Sequence, residues 1–260
     1  MHPLINHTFT AVRKAARYAL QAQERIDTLR IDVKGGNELV TEVDMKVQEI
    51  ILSSLLSHMP DLKVIAEEKS QDFYFEEDYE WAVIIDPIDG THNFIHRLPF
   101  VGISIAFVKK NQRTNKDDIE LALVYDIIHD ELFHAERGRG AYCNKHRMRV
   151  SAKKELSLGM FSVASSLTDL MVKLKDNGGY IRDLGSASLA LAYCAAGRLD
   201  GCALSEKIKI WDYAAGLLLM QESGGVVNTF AGDPFHIHQS GRFVAANPHL
   251  CGQLLRITKE

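Results

Sequence analysis

The chain has 260 residues, of which 46% are hydrophobic, and a formal net charge of −4. Its basic residues are dispersed, so no nucleic-acid-binding surface is predicted. The longest uncharged apolar run, Ala214–Met220, is far shorter than the roughly 20 residues that span a bilayer. The first residues lack the pattern of a secretory signal. We therefore expect a cytoplasmic protein that does not enter a membrane.

The four cysteines favour a reducing compartment. Cys143, Cys194, Cys202 and Cys251 lie far apart, and none belongs to a C-x-x-C pair. Spacing of this kind is typical of buried thiols rather than of a disulfide framework or a zinc site.

The first half of the chain predicts two helices followed by a β-rich segment. The helices are expected from Leu4 to about Leu29 and over Asp44–His58, joined by a glycine-containing connector at Lys34–Glu38. Short apolar segments then predict strands at Lys63–Glu68, Trp81–Ile85, Phe100–Val108, Glu120–Ile128 and Glu131–Ala135. The polar segment Asn111–Asp118 is expected to be a hairpin tip, with a partner-binding loop as the alternative.

The last third alternates between the two kinds of element. Strands are predicted at Met160–Ala164, Leu199–Leu204, Val226–Thr229 and Phe243–Ala245, and helices at Ser188–Ala196, Asp212–Ser223 and Pro248–Thr258. This alternation indicates sheets covered by helices.

The segment from Asp86 to Phe94 carries the strongest chemical signal. The apolar run Val83–Ile85 delivers Asp86, and Asp89 follows three positions later. Two carboxylates on one turn can bind a common oxygen-seeking cation such as Mg²⁺. Gly90 permits close approach of a ligand, and Thr91 is predicted to cap a helix whose free amides favour a phosphate. An ordinary Asx-Pro turn is the alternative.

Other acids stand at the ends of predicted elements. Glu67 and Glu68 follow an apolar strand, and Asp212 and Asp44 each begin a helix. Ligand sites of α/β proteins use such positions. Taken singly, the glutamates also fit a solvated loop, and each aspartate fits a helix cap or a partner of the helix dipole.

Two motifs together resemble the signatures of the inositol monophosphatase family. The first is Asp86–Thr91 followed by Asn93 and Phe94, and the second is Trp211–Gly216 followed by Gly224 and Gly225. Supporting matches occur in the same order as in the family, at Leu39–Asp44, Ala66–Glu68, Gly185–Ala187 and Ala245–Asn247. The resemblance covers essentially the whole chain.

The resemblance implies an α-β-α-β-α five-layer sandwich, usually a homodimer, in a family of lithium-sensitive, Mg²⁺-dependent phosphatases. We expect one catalytic domain, 1–260, with a metal and phosphate half at roughly 1–150 and a substrate half at 151–260. Two or three Mg²⁺ ions are expected. The implied ligands are Glu67, Asp86 and the Ile88 carbonyl for the first ion, Asp86, Asp89 and Asp212 for the second, and Glu67 for a loosely held third.

The resemblance also implies roles for the remaining site residues. Asp44 and Thr91, with the metal ligand Glu67, form the expected catalytic set, in which Asp44 and Thr91 activate the attacking water. The expected substrate contacts are Asp89, Gly90, Thr91, Gly185, Ser186, Ala187 and Glu206.

The chain departs from the family pattern at three places. Ala66 stands where glycine is common before the two glutamates, and His92 replaces a frequent threonine. The acid that contacts inositol usually lies six residues before the tryptophan, which is Ser205 here, with Glu206 one place later. His236 and His238 have alternate spacing that could place both rings on one face of a strand, as a second metal site would require. The sequence offers them no obvious cysteine or acidic partner, so a surface loop is the alternative.

The expected reaction is hydrolysis of a small phosphate monoester, with myo-inositol 1-phosphate as the first candidate. The sibling substrates are histidinol phosphate, 3′-phosphoadenosine 5′-phosphate, NADP and fructose 1,6-bisphosphate. Two alternatives lie outside catalysis: a transcription antitermination or ribosome-maturation factor that acts through protein contacts, and a regulator that binds metal or phosphate without turnover.

Overall fold

A computed structural model of the chain describes residues 2–28, 31–34, 38–68, 79–111 and 116–259. The middle of the predicted Lys34–Glu38 connector and residues 112–115 of the predicted hairpin tip lie outside these residues. Among the residues that are described, no helix is both long enough and apolar enough to cross a membrane.

The first half of the chain is rich in strands, and the second half alternates between strands and helices. In the first half the elements are α1 (Pro3–Gln23), a 3₁₀ turn (Ile26–Thr28), β1 (Ile31–Lys34), β2 (Glu38–Thr41), α2 (Glu42–His58), β3 (Lys63–Ala66), β4 (Trp81–Asp89), α3 (Thr91–Ile95), β5 (Gly102–Asn111), β6 (Lys116–Asp126), β7 (Glu131–Glu136), β8 (Gly140–Cys143) and β9 (His146–Arg147). In the second half they are β10 (Met160–Val163), α4 (Thr168–Asp176), β11 (Tyr180–Arg182), α5 (Ala187–Ala195), β12 (Gly201–Leu204), α6 (Ile210–Glu222), β13 (Val226–Thr229), β14 (Phe243–Ala246) and α7 (Pro248–Lys259).

The larger sheet has seven strands in the order β3-β4-β5-β6-β7-β8-β9. Strand β3 runs parallel to β4, and the later neighbours are antiparallel. The pairing of β4 with β5 shifts near its end, where Asp86 lies opposite Ser104 but Asp89 lies opposite Gly102. Three steps along β4 therefore match two along β5, which is the signature of a bulge.

Alternation along β4 explains why both faces of this sheet are covered. Val83 and Ile85 pack in a cluster with apolar residues of α1 and α2, whereas Ala82 and Ile84 pack with α5 and α6. Successive side chains of a strand point to opposite faces, so an apolar run of this length requires helices on both sides.

The smaller sheet has five strands in the order β11-β10-β12-β14-β13. Its inner face shares the cluster of α5 and α6, and its outer face packs against α4 and α7. The layers are therefore α1/α2, the seven-stranded sheet, α5/α6, the five-stranded sheet and α4/α7. The predicted five-layer α/β arrangement is confirmed.

Several elements differ from the sequence-based prediction. Helix α1 ends at Gln23 and a separate 3₁₀ turn follows, so the predicted end near Leu29 is wrong. Helix α4 is absent from the prediction because Leu170 and Leu174 are its only buried residues and two positions give little periodicity. The paired strands β1 and β2 and the short strands β8, β9 and β11 are also absent from the prediction.

The central helices approach each other closely at Gly216. A Cβ atom added to Gly216 of α6 would lie 2.4 Å from Leu191 Cδ1 and 2.6 Å from Leu191 Cβ, on α5. No alanine methyl group fits at those distances without displacing one helix. The absence of a side chain at Gly216 therefore sets the spacing between the two helices of the middle layer.

Gly216→Ala tests this contact. Alanine has a higher helix propensity than glycine, but overpacking a close contact costs about 1–3 kcal/mol. We therefore expect the variant to have a lower free energy of unfolding than the parent. Gly252→Ala in α7 is the matched control, because nothing lies within 4 Å of its added Cβ. The control should gain roughly 0.5–1 kcal/mol. Urea unfolding of both variants measures the difference, and equal effects would contradict the packing argument.

Candidate active site

Three carboxylates from two distant parts of the chain meet at the carboxyl end of β4. One oxygen each from Asp86, Asp89 and Asp212 lies within 4.8 Å of the other two. Asp86 and Asp89 are buried, with 2% and 7% of their surfaces exposed. Among the described residues, these acids form the only group of three or more acidic, histidine or cysteine side chains that is placed to hold a metal ion.

Asp86 makes the local turn as well as facing the cluster. Its Oδ1 accepts a hydrogen bond of 3.0 Å from the Ile88 amide, which is the Asx-turn contact that the sequence offered as an alternative. Burial among two other acids is not explained by that turn. The turn therefore helps to orient a carboxylate that belongs to the cluster.

Asp212 likewise has both of its predicted roles, since it caps a helix and belongs to the acidic cluster. It is the third residue of α6, and its Oδ2 accepts a 2.6 Å hydrogen bond from the Lys209 amide at the start of that helix. The preceding residue, Trp211, is tied to the large sheet because its carbonyl accepts a hydrogen bond from Ser104 Oγ at 2.9 Å. Helix α6 is thus anchored where its acid meets β4.

Asp89 is held by the first turn of α5. Its Oδ2 accepts hydrogen bonds from the hydroxyls of Ser186 and Ser188, both at 2.5 Å, and from the Ser188 amide at 2.7 Å. Its Oδ1 accepts a longer bond, 3.3 Å, from the Ala187 amide. The predicted segment Gly185–Ala187 therefore reaches the metal cluster through Asp89.

The electrostatics of the cluster favour a cation. Burial, followed by the charges of Glu67, Asp89 and Asp212, raises the pKa of Asp86 well above its ordinary value. Burial and the charge of Asp89 do the same to the pKa of Asp212. Burial also raises the pKa of Asp89, although its hydrogen bonds to the two serines oppose the shift. Oxygen ligands that repel one another in this way fit Mg²⁺, which would neutralise them.

Thr91 faces Asp44 rather than capping the short helix. Its Oγ1 has two acceptors for its one hydrogen, Asp44 Oδ1 at 3.4 Å and the Ile88 carbonyl at 3.2 Å. The N-cap residue of α3 is Gly90, so the predicted cap at Thr91 is wrong. Gly90 has a φ of +95°, and a Cβ there would lie 2.7 Å from the Phe100 carbonyl oxygen, so the position requires glycine.

Helix α2 supports two parts of the site at once. It carries the buried Asp44 in its first turn and Gln48 one turn later. Gln48 Nε2 donates to the Glu68 carbonyl at 2.6 Å, and the Glu68 amide donates to Gln48 Oε1 at 3.1 Å. The Glu67 amide also donates to the Ile85 carbonyl at 3.1 Å. These bonds fix the backbone of Glu67, which lies close enough to raise the pKa of Asp86.

Glu206 lies in an ion pair. Its carboxylate accepts hydrogen bonds from Arg242 Nε at 2.7 Å and Nη2 at 3.2 Å, and both residues are exposed. The Arg242 guanidinium lowers the pKa of Glu206 to about 2. Ser205, at the position of the family's usual acid, is buried. The substrate role of Glu206 remains a prediction.

The remaining predicted features lie elsewhere. His92 is exposed on α3. His238 Nε2 lies 2.8 Å from Asp117 Oδ2, an acid 121 residues away that the sequence did not suggest as its partner. The four thiols are free, and Cys194, Cys202 and Cys251 are buried, as predicted, but Cys143 is only half-buried.

Sequence reasoning missed the residues that hold the ligands in place, above all Ser188, Gln48 and Ser104. The sequence pattern marks Ser188 only as the start of a helix. Two serines immediately before an apolar helical run are a capping signal, but no pattern indicates that their hydroxyls bind an acid about 100 residues earlier.

Comparison with known proteins agrees with this geometry. The model of the inositol monophosphatase family matches residues 1–260. The chain belongs to the inositol monophosphatase family. It is 36% identical to the Nus factor SuhB of Escherichia coli K12 over 264 residues, covering 98% of this chain and 95% of that protein.

Solved structures of the family share the fold. The Thermotoga maritima IMPase TM1415 matches with a TM-score of 0.88 and 31% identity, over 99% of this chain and 97% of that one. An IMPase/NADP phosphatase complexed with Mg²⁺ and phosphate matches with a TM-score of 0.81 and 25% identity, over 93% and 90%. The predicted family and fold are thereby confirmed.

Asp86→Asn tests the repulsion within the cluster. Carboxyls with a raised pKa keep protons in the folded state that the unfolded chain releases above about pH 4, so the metal-free protein loses stability as the pH rises through the raised values. Asparagine keeps an oxygen for the Ile88 amide but carries no charge. In EDTA at pH 7 we expect the variant to be more stable than the parent, on the order of 0.5–2 kcal/mol.

The same variant should lose most of its affinity for Mg²⁺. In the parent, Mg²⁺ binding should release protons and strengthen as the pH rises, because the ion competes with those protons. Thermal unfolding in EDTA and calorimetry in buffers of different ionisation enthalpy measure these effects. A variant that is less stable than the parent in EDTA would contradict the electrostatic argument.

Proposed function

We propose that the protein catalyses Mg²⁺-dependent hydrolysis of a small phosphate monoester, with myo-inositol 1-phosphate as the preferred substrate. The observation that carries the proposal is the cluster of Asp86, Asp89 and Asp212, in which one oxygen of each lies within 4.8 Å of the other two, with Asp86 and Asp89 buried and Asp212 half-buried. Membership of the inositol monophosphatase family supports it. So does the similarity to an IMPase/NADP phosphatase complexed with Mg²⁺ and phosphate.

Two or three Mg²⁺ ions are proposed. Glu67, Asp86 and the Ile88 carbonyl would hold the first, Asp86, Asp89 and Asp212 the second, and Glu67 a third. When bound, such ions neutralise phosphoryl oxygens, lower the pKa of a coordinated water and stabilise the leaving oxygen. The carboxylates of this chain would supply the matching negative charge.

The chain's own contribution to the reaction is to position the attacking water. Thr91 Oγ1 lies between Asp44 Oδ1 and the Ile88 carbonyl, at 3.4 and 3.2 Å. A water on Thr91 Oγ1 can therefore pass a proton through the hydroxyl to the Asp44 carboxylate. Asp44 is buried, which holds this acceptor in one orientation. In-line transfer to water needs no cysteine or serine nucleophile.

The phosphate and the rest of the substrate are assigned to different segments. We propose that the amides of Gly90 and Thr91 bind the phosphate, and that Gly185–Ala187 and Asp89 line the other side of the substrate. Glu206 would have to exchange its partner Arg242 for a substrate hydroxyl. The sibling esters remain alternatives because the family's usual acid is a serine here.

Phosphate release from a substrate panel tests the proposal. The panel contains myo-inositol 1-phosphate, histidinol phosphate, 3′-phosphoadenosine 5′-phosphate, fructose 1,6-bisphosphate and NADP, each with Mg²⁺, with EDTA, and with Mg²⁺ plus Li⁺. We expect release that requires Mg²⁺, falls with Li⁺ and is fastest for inositol phosphate. Preference for another ester would reassign the pocket, and no release from any ester would contradict the enzymatic proposal.

Asp89→Asn is the matching variant. Loss of one metal-binding charge should lower kcat at least about 100-fold, since electrostatic stabilisation of the transition state is lost. The fold should persist, because asparagine keeps an acceptor for the serine hydroxyls. Circular dichroism and phosphate release measure the two properties. Parental activity in this variant would refute the metal assignment.

A regulatory role is the second candidate, and the relative named Nus factor SuhB is the observation that favours it. Such a role would depend on protein contacts rather than on turnover. Co-purification of RNA polymerase or elongation factors with the chain, equally with Mg²⁺ and with EDTA, would support it. Equal recovery with Asp89→Asn would separate this role from catalysis.

Three further properties are proposed on the family resemblance. They are a homodimeric state, a cytoplasmic location and inhibition by lithium. Sedimentation of the purified chain tests the first, cell fractionation tests the second, and the lithium arm of the substrate panel tests the third.

A further inference from the structure

Ser188 is a fully buried hydroxyl that contacts the metal cluster without belonging to the proposed ligand set. Its Oγ donates to Asp89 Oδ2 at 2.5 Å, across 99 residues of sequence. We propose that Ser188 is a positioning residue for the metal, which locks Asp89 so that only its Oδ1 is presented to the cation. This inference rests on the proposed function, because it requires that the cluster binds Mg²⁺.

The hydrogen bonds of Asp89 are distributed unequally between its two oxygens. Oδ2 accepts three, from Ser186 Oγ, the Ser188 amide and Ser188 Oγ, at 2.5, 2.7 and 2.5 Å. Oδ1 accepts one, from the Ala187 amide at 3.3 Å. A carboxylate oxygen has about two lone-pair directions, so three donors saturate Oδ2. A cation therefore meets Asp89 through Oδ1.

The Ser188 hydroxyl is not needed to cap its own helix. Ser186 is the N-cap residue of α5, and its Oγ accepts the Leu189 amide at 3.4 Å. Ser188 instead directs its hydroxyl away from α5, to the end of β4. Capping of α5 therefore does not explain the hydrogen bond from Ser188 Oγ to Asp89.

Strand β5 confines the hydroxyl from the other side. A Cβ added to Gly102, the β5 residue opposite Asp89, would lie 3.0 Å from Ser188 Oγ. The hydroxyl is thus enclosed by α5, β4 and β5, with no exposed surface through which water could replace it. Its loss would leave Oδ2 with only the Ser186 hydroxyl and the Ser188 amide as donors. The orientation of the Asp89 carboxylate would then be less tightly fixed, and Oδ1 would be presented to the cation less uniformly.

Ser188→Ala is the test, and Mg²⁺ affinity measured by calorimetry without substrate is the main readout. Residues that orient metal ligands typically contribute about 10- to 100-fold to affinity, and we expect a loss in this range. The EPR spectrum of bound Mn²⁺ should also broaden, because the ligand geometry is less uniform. Thermal unfolding in EDTA separates an effect on the metal from an effect on the fold.

Ser223→Ala is the matched control. Ser223 is equally buried and donates one hydrogen bond, to the Met220 carbonyl at 2.9 Å, at the opposite end of α6 from Asp212. Ser223→Ala should leave the Mg²⁺ affinity within about twofold of the parent, because substitutions at distant sites usually act independently. Ser188→Cys introduces a side chain of similar volume with a weaker hydrogen-bond donor. Its Mg²⁺ affinity should lie between those of the parent and Ser188→Ala.

The outcomes distinguish this inference from the function beneath it. If the parent binds Mg²⁺ and Ser188→Ala binds it equally well, the positioning role is refuted and the proposed function stands. If Ser188→Ala does not fold, an unchanged affinity in Ser188→Cys refutes the role and a weakened one supports it. If the parent itself binds no Mg²⁺, both the metal site and the role of Ser188 are refuted.

Discussion

The mutual repulsion of clustered carboxylates is the constraint around which this structure is arranged. One oxygen each from Asp86, Asp89 and Asp212 lies within 4.8 Å of the other two. Burial raises the pKa of all three, and neighbouring negative charges raise the pKa of Asp86 and Asp212 further. Such a group does not assemble by its own attraction. It persists because packing elsewhere in the fold fixes the three segments that carry it, and a bound cation would convert that repulsion into attraction.

The five layers supply this packing through the middle pair of helices. Helix α5 begins against Asp89 and α6 begins with Asp212 in its first turn, and both are buried between the two sheets. Their close approach at Gly216 and Leu191 fixes one helix against the other. The site therefore depends on contacts far from its own oxygens, because a shift of either helix would separate the acids.

The parts of the site that are close in sequence could be predicted, and the parts that depend on distant pairing could not. Asp86 and Asp89 share one turn, so their common role follows from local spacing. Asp212 lies more than 120 residues later, and only the resemblance to a family connected it with them. The contacts of Ser188 with Asp89 and of Gln48 with Glu68 join residues that no periodicity relates, and the partner of Glu206 was found only in the fold.

The bulge near the end of β4 has a consequence for how this segment can vary. In a regular strand, residues three apart point to opposite faces, so Asp86 and Asp89 would be separated by the sheet. The extra residue in β4 restores them to one side, where their oxygens meet. A single insertion or deletion between them would turn one carboxylate towards the apolar layer of α1 and α2. The length of the Pro87–Ile88 step should therefore tolerate no change.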